Sequence, residues 1–317
     1  MRAALGIPII AAVLLALTAC GPTGSDAEPI DPEPDAVGAN LTTDPEVTVL
    51  ADLEYGTADG VSLRLDACLP PDLDPTAEAV PGIVVIHGGS WTEGRKDSVG
   101  WRAVCTWLAA AGYPTFSVDY RLAPEYIFPA GFTDVQTAVT WLRDESQVER
   151  FGLDPDRLAV FGGSAGGNLA ALLGTTGRGD LTSGARVAAV VDLSGPTDLT
   201  GVAVTDDFTP LQLSYLGCST YQDCPQARLA SPTTQVDASD PPFFIAHSTA
   251  EKIPLAQSER FVEKLRDAGV DVEFLVADGT LHSIALLDDD LKERIVAFYL
   301  RTLGPGVAPT AEPDAAG

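Results

Sequence analysis

Leu158-Ala159-Val160-Phe161-Gly162-Gly163-Ser164-Ala165-Gly166-Gly167-Asn168 sets a short apolar run against a cluster of small residues around one serine, and a helical pattern follows as far as Leu173. The stretch is Gly-x-Ser-x-Gly between a strand and a helix. A turn this tight strains the serine backbone and lifts its hydroxyl above the sheet, and small flanking residues leave the room it needs. Glycine-rich turns also bind phosphate. Here the lysine of a P-loop is missing beside the last glycine, and the spacing does not fit a dinucleotide fingerprint. Ser164 is therefore read as a nucleophile.

Upstream, His87-Gly88-Gly89-Ser90-Trp91 closes another apolar run, Gly82 to Ile86. Glycines after a strand let backbone N–H groups approach a substrate carbonyl whose oxygen becomes negative under attack. Gly88 and Gly89 are the expected donors from this loop, with Ala165 the donor from the first turn after the serine.

Between and around these two motifs, short apolar runs alternate with helical patterns, the mark of a mostly parallel sheet covered on both faces. Val47 to Tyr55 and Val61 to Cys68 read as a hairpin turning at Asp59-Gly60. Further strands are expected at Gly82 to Ile86, Thr115 to Val118, Leu158 to Phe161, Val187 to Leu193, Pro242 to Ala246 and Val272 to Val276. Helices are expected over Phe132 to Glu149, from Val135, Ala138, Val139 and Leu142, and over Leu255 to Ala268, from Phe261, Val262 and Leu265.

The chain resembles the hormone-sensitive-lipase-like and feruloyl-esterase-like carboxylesterases of the α/β-hydrolase superfamily. The resemblance rests on His87 to Trp91, Asp119-Tyr120-Arg121-Leu122-Ala123-Pro124-Glu125, Asp154-Pro155-Asp156-Arg157, Gly162 to Gly167, and His247 through Ser258. It implies an α/β-hydrolase fold with an eight-stranded sheet and a small cap, and hydrolysis of esters through an acyl-enzyme without a cofactor. One departure is Ser90, where the family often has a third glycine.

The base is found by elimination among three histidines. In this fold the order is Ser, acid, His, and His282 follows the last strand in a loop containing Gly279. His87 lies in the oxyanion loop, and His247 is expected to order the acid loop by hydrogen bonding. His247-Ser248-Thr249-Ala250-Glu251-Lys252-Ile253-Pro254 is similar to the family pattern His-Gly-Thr-x-Asp-x-x-Val-Pro, which implies that Glu251 orients His282. Glu replaces the usual Asp, and the loop is one residue shorter. Asp278 is the rival acid.

Composition bounds the rest. One large α/β domain, 47–303, fits a chain of 317 residues that is 45% hydrophobic. A net charge of −26 with no basic stripe argues against nucleic acid as a partner. Met1 to Ala19 reads as an export signal, and Leu17-Thr18-Ala19-Cys20-Gly21 resembles a bacterial lipobox, which implies lipid on Cys20 and anchoring outside the cytoplasmic membrane. The competing reading is an uncleaved transmembrane anchor. Residues 20–46, rich in Pro and Asp, read as a flexible tether, and 304–317 as a disordered tail.

In an exported chain the other four cysteines are expected as disulfides. Cys218 with Cys224 closes a small loop, and Cys68 with Cys105 follows; zinc is the competing reading, though the spacing matches no common zinc pattern. Gly201 to Gln235 is expected as a small cap favouring short acyl chains, with Trp91 and Tyr126 as pocket walls. Two other functions stay open: a peptidase or amidase of the same fold, and a non-catalytic surface binding lipoprotein.

Overall fold

The computed structural model describes Met1 and residues 41–308. The expected signal peptide, the lipidation site at Cys20 and most of the tether and tail lie outside the described residues. By contact density the chain divides into Met1–Glu33 and Pro34–Gly317, and everything described below belongs to the second unit.

That unit is built on one eight-stranded sheet: β1 (Thr48–Ala58), β2 (Val61–Leu69), β3 (Val80–Ile86), β4 (Thr115–Val118), β5 (Leu153–Gly163), β6 (Ala189–Leu193), β7 (Phe243–Ser248) and β8 (Val272–Ala277). The strands lie in the order β1-β2-β4-β3-β5-β6-β7-β8. The first two strands form the expected hairpin, with Asp59 and Gly60 both at positive φ in the turn, as a two-residue hairpin demands. From β4 onward neighbouring strands run parallel.

The side-chain period of two divides the central strands between two cores. On β3, Val84 and Ile86 face one side while Ile83 and Val85 face the other; on β5, Leu158 and Val160 oppose Ala159 and Phe161. The first face is covered by α2 (Ala130–Leu142), α4 (Ala165–Thr175) and α7 (Ala256–Asp267), which bury Val135, Val139, Leu169, Phe261 and Leu265. The second is covered by α1 (Val99–Ala110) and α8 (Asp289–Leu303) through Trp101, Leu108, Ile295 and Phe298. Burial on both sides explains why these strands read as apolar runs rather than as alternating ones.

The expected helix Phe132 to Glu149 is two helices. Asp144 takes an extended conformation, and α3 (Glu145–Phe151) begins after it. The break lets Arg143 donate to the Pro155 and Leu181 carbonyls, and it seats Phe151 fully buried against the Phe116 ring. The domain limits also shift. Leu41 is buried and Asp44 N–H donates to Thr106 Oγ1, so the chain joins the core before residue 47. At the other end Val307 N–H donates to the Gly112 carbonyl, beyond the expected limit at 303.

Both expected disulfides are present, so these four thiols are in sulfur–sulfur bonds rather than a zinc cluster. Cys68–Cys105 joins β2 to α1 inside the core. Cys218–Cys224 closes the turn between α5 (Thr209–Leu216) and α6 (Pro225–Leu229), the two short helices of the segment after β6.

Candidate active site

In a parallel sheet the functional loops gather at the carboxyl ends of the strands. Register brings those ends level here: Ile86 pairs with Gly162, Gly162 with Asp192, Leu193 with Ala246, and His247 with Val276. The residues that follow β3, β5, β7 and β8 include the Gly88-Gly89 loop, Ser164, Glu251 and His282, whereas Tyr126 follows β4.

Ser164 follows β5 directly and caps α4 at φ 55° and ψ −124°, a region open to few non-glycine residues. Its N–H is held by the Leu193 carbonyl at 2.9 Å. The neighbouring glycines are steric necessities. A Cβ on Gly162 would overlap the Gly166 carbonyl, and one on Gly166 would overlap the carbonyls of Ile86 and His87. This packing presses the start of α4 onto the end of β3, so Ala165 and the Gly88-Gly89 loop share one wall. The first N–H groups of a helix have no acceptor within it, and the Ala165 N–H is one of them.

The oxyanion loop is itself strained. Gly89, Ser90 and Trp91 lie at φ 109°, 51° and 61°. Ser90 thus occupies a conformation that glycine adopts freely, consistent with the residue type usual in the resembling family. His87 stacks on Tyr120 at 4.4 Å and its Nδ1 meets the Gly88 carbonyl at 2.7 Å, a packing role in the loop. Trp91 does not line a pocket, contrary to expectation. It is 1% exposed, stacked on Tyr215 at 4.4 Å with the rings 6° from parallel.

The acid and the histidine meet. Glu251 Oε2 contacts His282 Nδ1, and the Glu251 side chain is fully buried. The two loops are zipped together by Thr249 N–H to the Ala277 carbonyl, Ala250 N–H to the Gly279 carbonyl, and Ser248 Oγ to the Leu281 carbonyl. Asp278, the rival, is exposed. Glu251 Oε1 accepts from Ser248 N–H at 3.2 Å and faces His247 Nε2 at 3.1 Å. His247 also meets the Ile253 carbonyl through Nε2 and Ser258 Oγ through Nδ1, so it orders the acid loop as expected.

With Nδ1 on the carboxylate, His282 Nε2 has no hydrogen-bond partner among the described residues. The loop that carries it is seated against the serine turn: Ser283 N–H donates to Ser194 Oγ at 3.0 Å, and a Cβ on Gly163 would overlap Ser283 Oγ. Burial pushes the His282 imidazole below its ordinary value, with the Glu251 carboxylate opposing that shift. A buried neutral imidazole at this position is able to take a proton.

Two buried polar side chains here escaped the sequence reading. Asp192, fully buried, accepts from Gly195 N–H at 2.9 Å, and burial pushes its carboxyl up to about 7. Asn168, one helical turn after Ser164, is also fully buried. Its place four residues beyond the serine, on the face turned toward the motif, is the signal that would have found it.

Strand order, a strained Gly-x-Ser-x-Gly turn after β5, and an acid–histidine pair on the loops after β7 and β8 define an α/β-hydrolase. More narrowly, the chain belongs to the BD-FAE family, whose model matches residues 65–265. It is 34% identical to Esterase LipC of Mycobacterium tuberculosis over 232 residues, covering 68% of this chain and 56% of that protein. Esterase LipQ of the same organism is 30% identical over 256 residues, covering 78% of this chain and 60% of that one. The chain therefore spans less than two-thirds of the length of these curated relatives. The fold is shared with a truncated carbohydrate esterase from gut microbiota, at a TM-score of 0.71 and 24% identity over 84% of this chain and 98% of that one.

Proposed function

We propose that the protein is a serine carboxylesterase acting on small or short-acyl esters. Ser164 attacks the ester carbonyl, His282 Nε2 takes the serine proton, and Glu251 holds the imidazole in the required tautomer and stabilises the imidazolium. The N–H groups of Gly88, Gly89 and Ala165 receive the developing oxyanion. The alcohol leaves with the proton from His282, and water activated by the same imidazole then hydrolyses the acyl-enzyme.

The observation that carries this reading is the buried Glu251–His282 contact, with Nε2 left unpaired on a loop seated beside the Ser164 turn. The esterase names of the relatives support the ester bond as target. A preference for short acyl chains is supported by the modest cap, two short helices held by Cys218–Cys224.

Ser164→Ala is expected to abolish p-nitrophenyl acetate hydrolysis and labelling by a fluorophosphonate probe while leaving the circular dichroism spectrum unchanged. Wild-type turnover by that variant would overturn the assignment. Matched ester and anilide substrates separate esterase from amidase, and an acyl series from acetate to palmitate tests the chain-length preference. Lipid attachment at Cys20 is a further proposal from sequence. Equal palmitate labelling of wild type and Cys20→Ala counts against it.

A further inference from the structure

The oxyanion donors sit on two separate segments, Gly88 and Gly89 after β3 and Ala165 at the start of α4, and their relative position decides whether both reach one oxygen. Donors must lie within a few tenths of an ångström of the place where charge develops. On the side of the helix axis, that position is fixed by backbone packing of Gly166 against Ile86 and His87. Within the loop, the Thr92 and Glu93 N–H groups donate to the Gly89 carbonyl and a Cβ on Gly94 would overlap the Gly88 carbonyl, while Gly89, Ser90 and Trp91 all lie at positive φ. Those contacts are internal to the loop, and a contact from outside ties its far end, Trp91, to the helix that follows the serine.

Beside the Ala123 N–H on the Trp91 carbonyl and the Tyr215 ring on the indole, one contact leads to the helix of the nucleophile. Trp91, the last residue of the motif, donates through Nε1 to Asn168 Oδ1 at 3.2 Å. The Asn168 amide nitrogen donates to the Pro196 carbonyl at 2.9 Å and to the Ala230 carbonyl at 3.1 Å, and the Asn168 N–H donates to the Ser164 carbonyl at 3.0 Å. The orientation of the amide is unambiguous, because an indole only donates and a carbonyl only accepts. One fully buried residue thus joins the oxyanion loop, the serine turn, the segment after β6 and the residue that follows α6.

We propose that Asn168 is a positioning residue that, through Trp91, keeps the Gly88-Gly89 loop in register with Ser164 and Ala165. The proposal rests on the esterase reading of Ser164. Its alternative is a buried amide that merely satisfies two carbonyls, in which case its loss lowers stability without selectively weakening the transition state.

The two roles differ in what they move. Losing one well-placed oxyanion donor lowers kcat by about a hundredfold or more, whereas substrate binding is little affected. Trp91→Phe keeps an aromatic ring on Tyr215 and removes the indole N–H. Asn168→Leu replaces the amide with an apolar side chain of similar size. Each variant and the double variant would be assayed for kcat and KM on p-nitrophenyl acetate and for inhibition by a butylboronic acid, whose tetrahedral adduct on a serine carries an anionic oxygen.

The expected result for Asn168→Leu is a kcat lowered at least tenfold, KM within about threefold of wild type, and boronate affinity lowered in step with kcat. Trp91→Phe should show the same pattern at smaller size, and the double variant should be no worse than Asn168→Leu alone. Folded variants with wild-type kcat and boronate affinity, or with only a lower Tm, would overturn the proposal. Trp91→Phe decides the matter alone if Asn168→Leu does not fold. A wild-type protein that neither hydrolyses esters nor reacts with the fluorophosphonate at Ser164 sinks the esterase reading itself, a result distinct from active wild type with indifferent variants.

Discussion

Replacing Glu251 with glutamine tests the site at its least common residue. The carboxylate has two tasks: Oε2 faces His282 Nδ1, while Oε1 accepts from Ser248 N–H and faces His247 Nε2. A glutamine has one oxygen for both. If its oxygen turns to His282, its NH₂ group confronts the N–H of Ser248 and the Nε2 of His247, which donates to the Ile253 carbonyl. If its oxygen turns to Ser248, the NH₂ group faces His282 Nδ1 and drives the ring proton to Nε2, the atom that must accept from Ser164. The second arrangement satisfies more groups and is the one expected. The equivalent Asp-to-Asn change in a serine protease lowers kcat by about 10⁴, or about 5 kcal/mol of barrier. The assay is kcat on p-nitrophenyl acetate across pH, with Tm to confirm folding. Glu251→Asp keeps the charge on a side chain one methylene shorter and should fall between the two. A Glu251→Gln variant that keeps kcat within tenfold of wild type would refute the reasoning.

The His282 imidazole is held below its ordinary value, so its neutral form persists to lower pH than in a free histidine. Activity that needs this neutral base is lost as pH falls through the lowered value, placing the acid limb of kcat/KM below about pH 6.5; a limb centred above that contradicts the assignment. Asp192 is shifted the opposite way, to about 7, so the folded state holds a proton that the unfolded chain releases, and stability declines as pH rises from the ordinary carboxylate value to about 7. Asp192→Asn removes that slope, and its stability relative to wild type should improve by about 1.4 kcal/mol per pH unit across the window. Urea unfolding at pH 5 and pH 7 that gave the same difference would reject this. Cys68→Ala with Cys105→Ala opens a loop spanning 37 residues, with an expected loss of roughly 4 kcal/mol and a Tm lower by about 10 °C. An unchanged Tm in calorimetry would show that the bond contributes nothing.

The local chemistry of this protein is written in consecutive residues. Gly162 to Gly167 announces a strained turn because its small residues are consecutive and one clash, a Cβ on Gly162 against the Gly166 carbonyl, is local; the room needed at Gly163 and Gly166 is set by distant segments. The strands were equally legible, since burial on both sheet faces leaves an unbroken apolar run, and His282 followed from there being three histidines in all. The break at Asp144 was not legible, because a helical period continues across it and only the packing of Arg143 and Phe151 decides it. The same limit applied within the site. Glu251 could be named from its segment, but its contact with a histidine 31 positions away depends on the register of β7 against β8. Asp192 and Asn168 carried no motif of their own. Asn168 gains its place only when three segments distant in sequence converge on one amide, because a hydrogen bond is set by distance and direction in space. The sequence alone determined which residues carry the chemistry; tertiary structure decided what orients them.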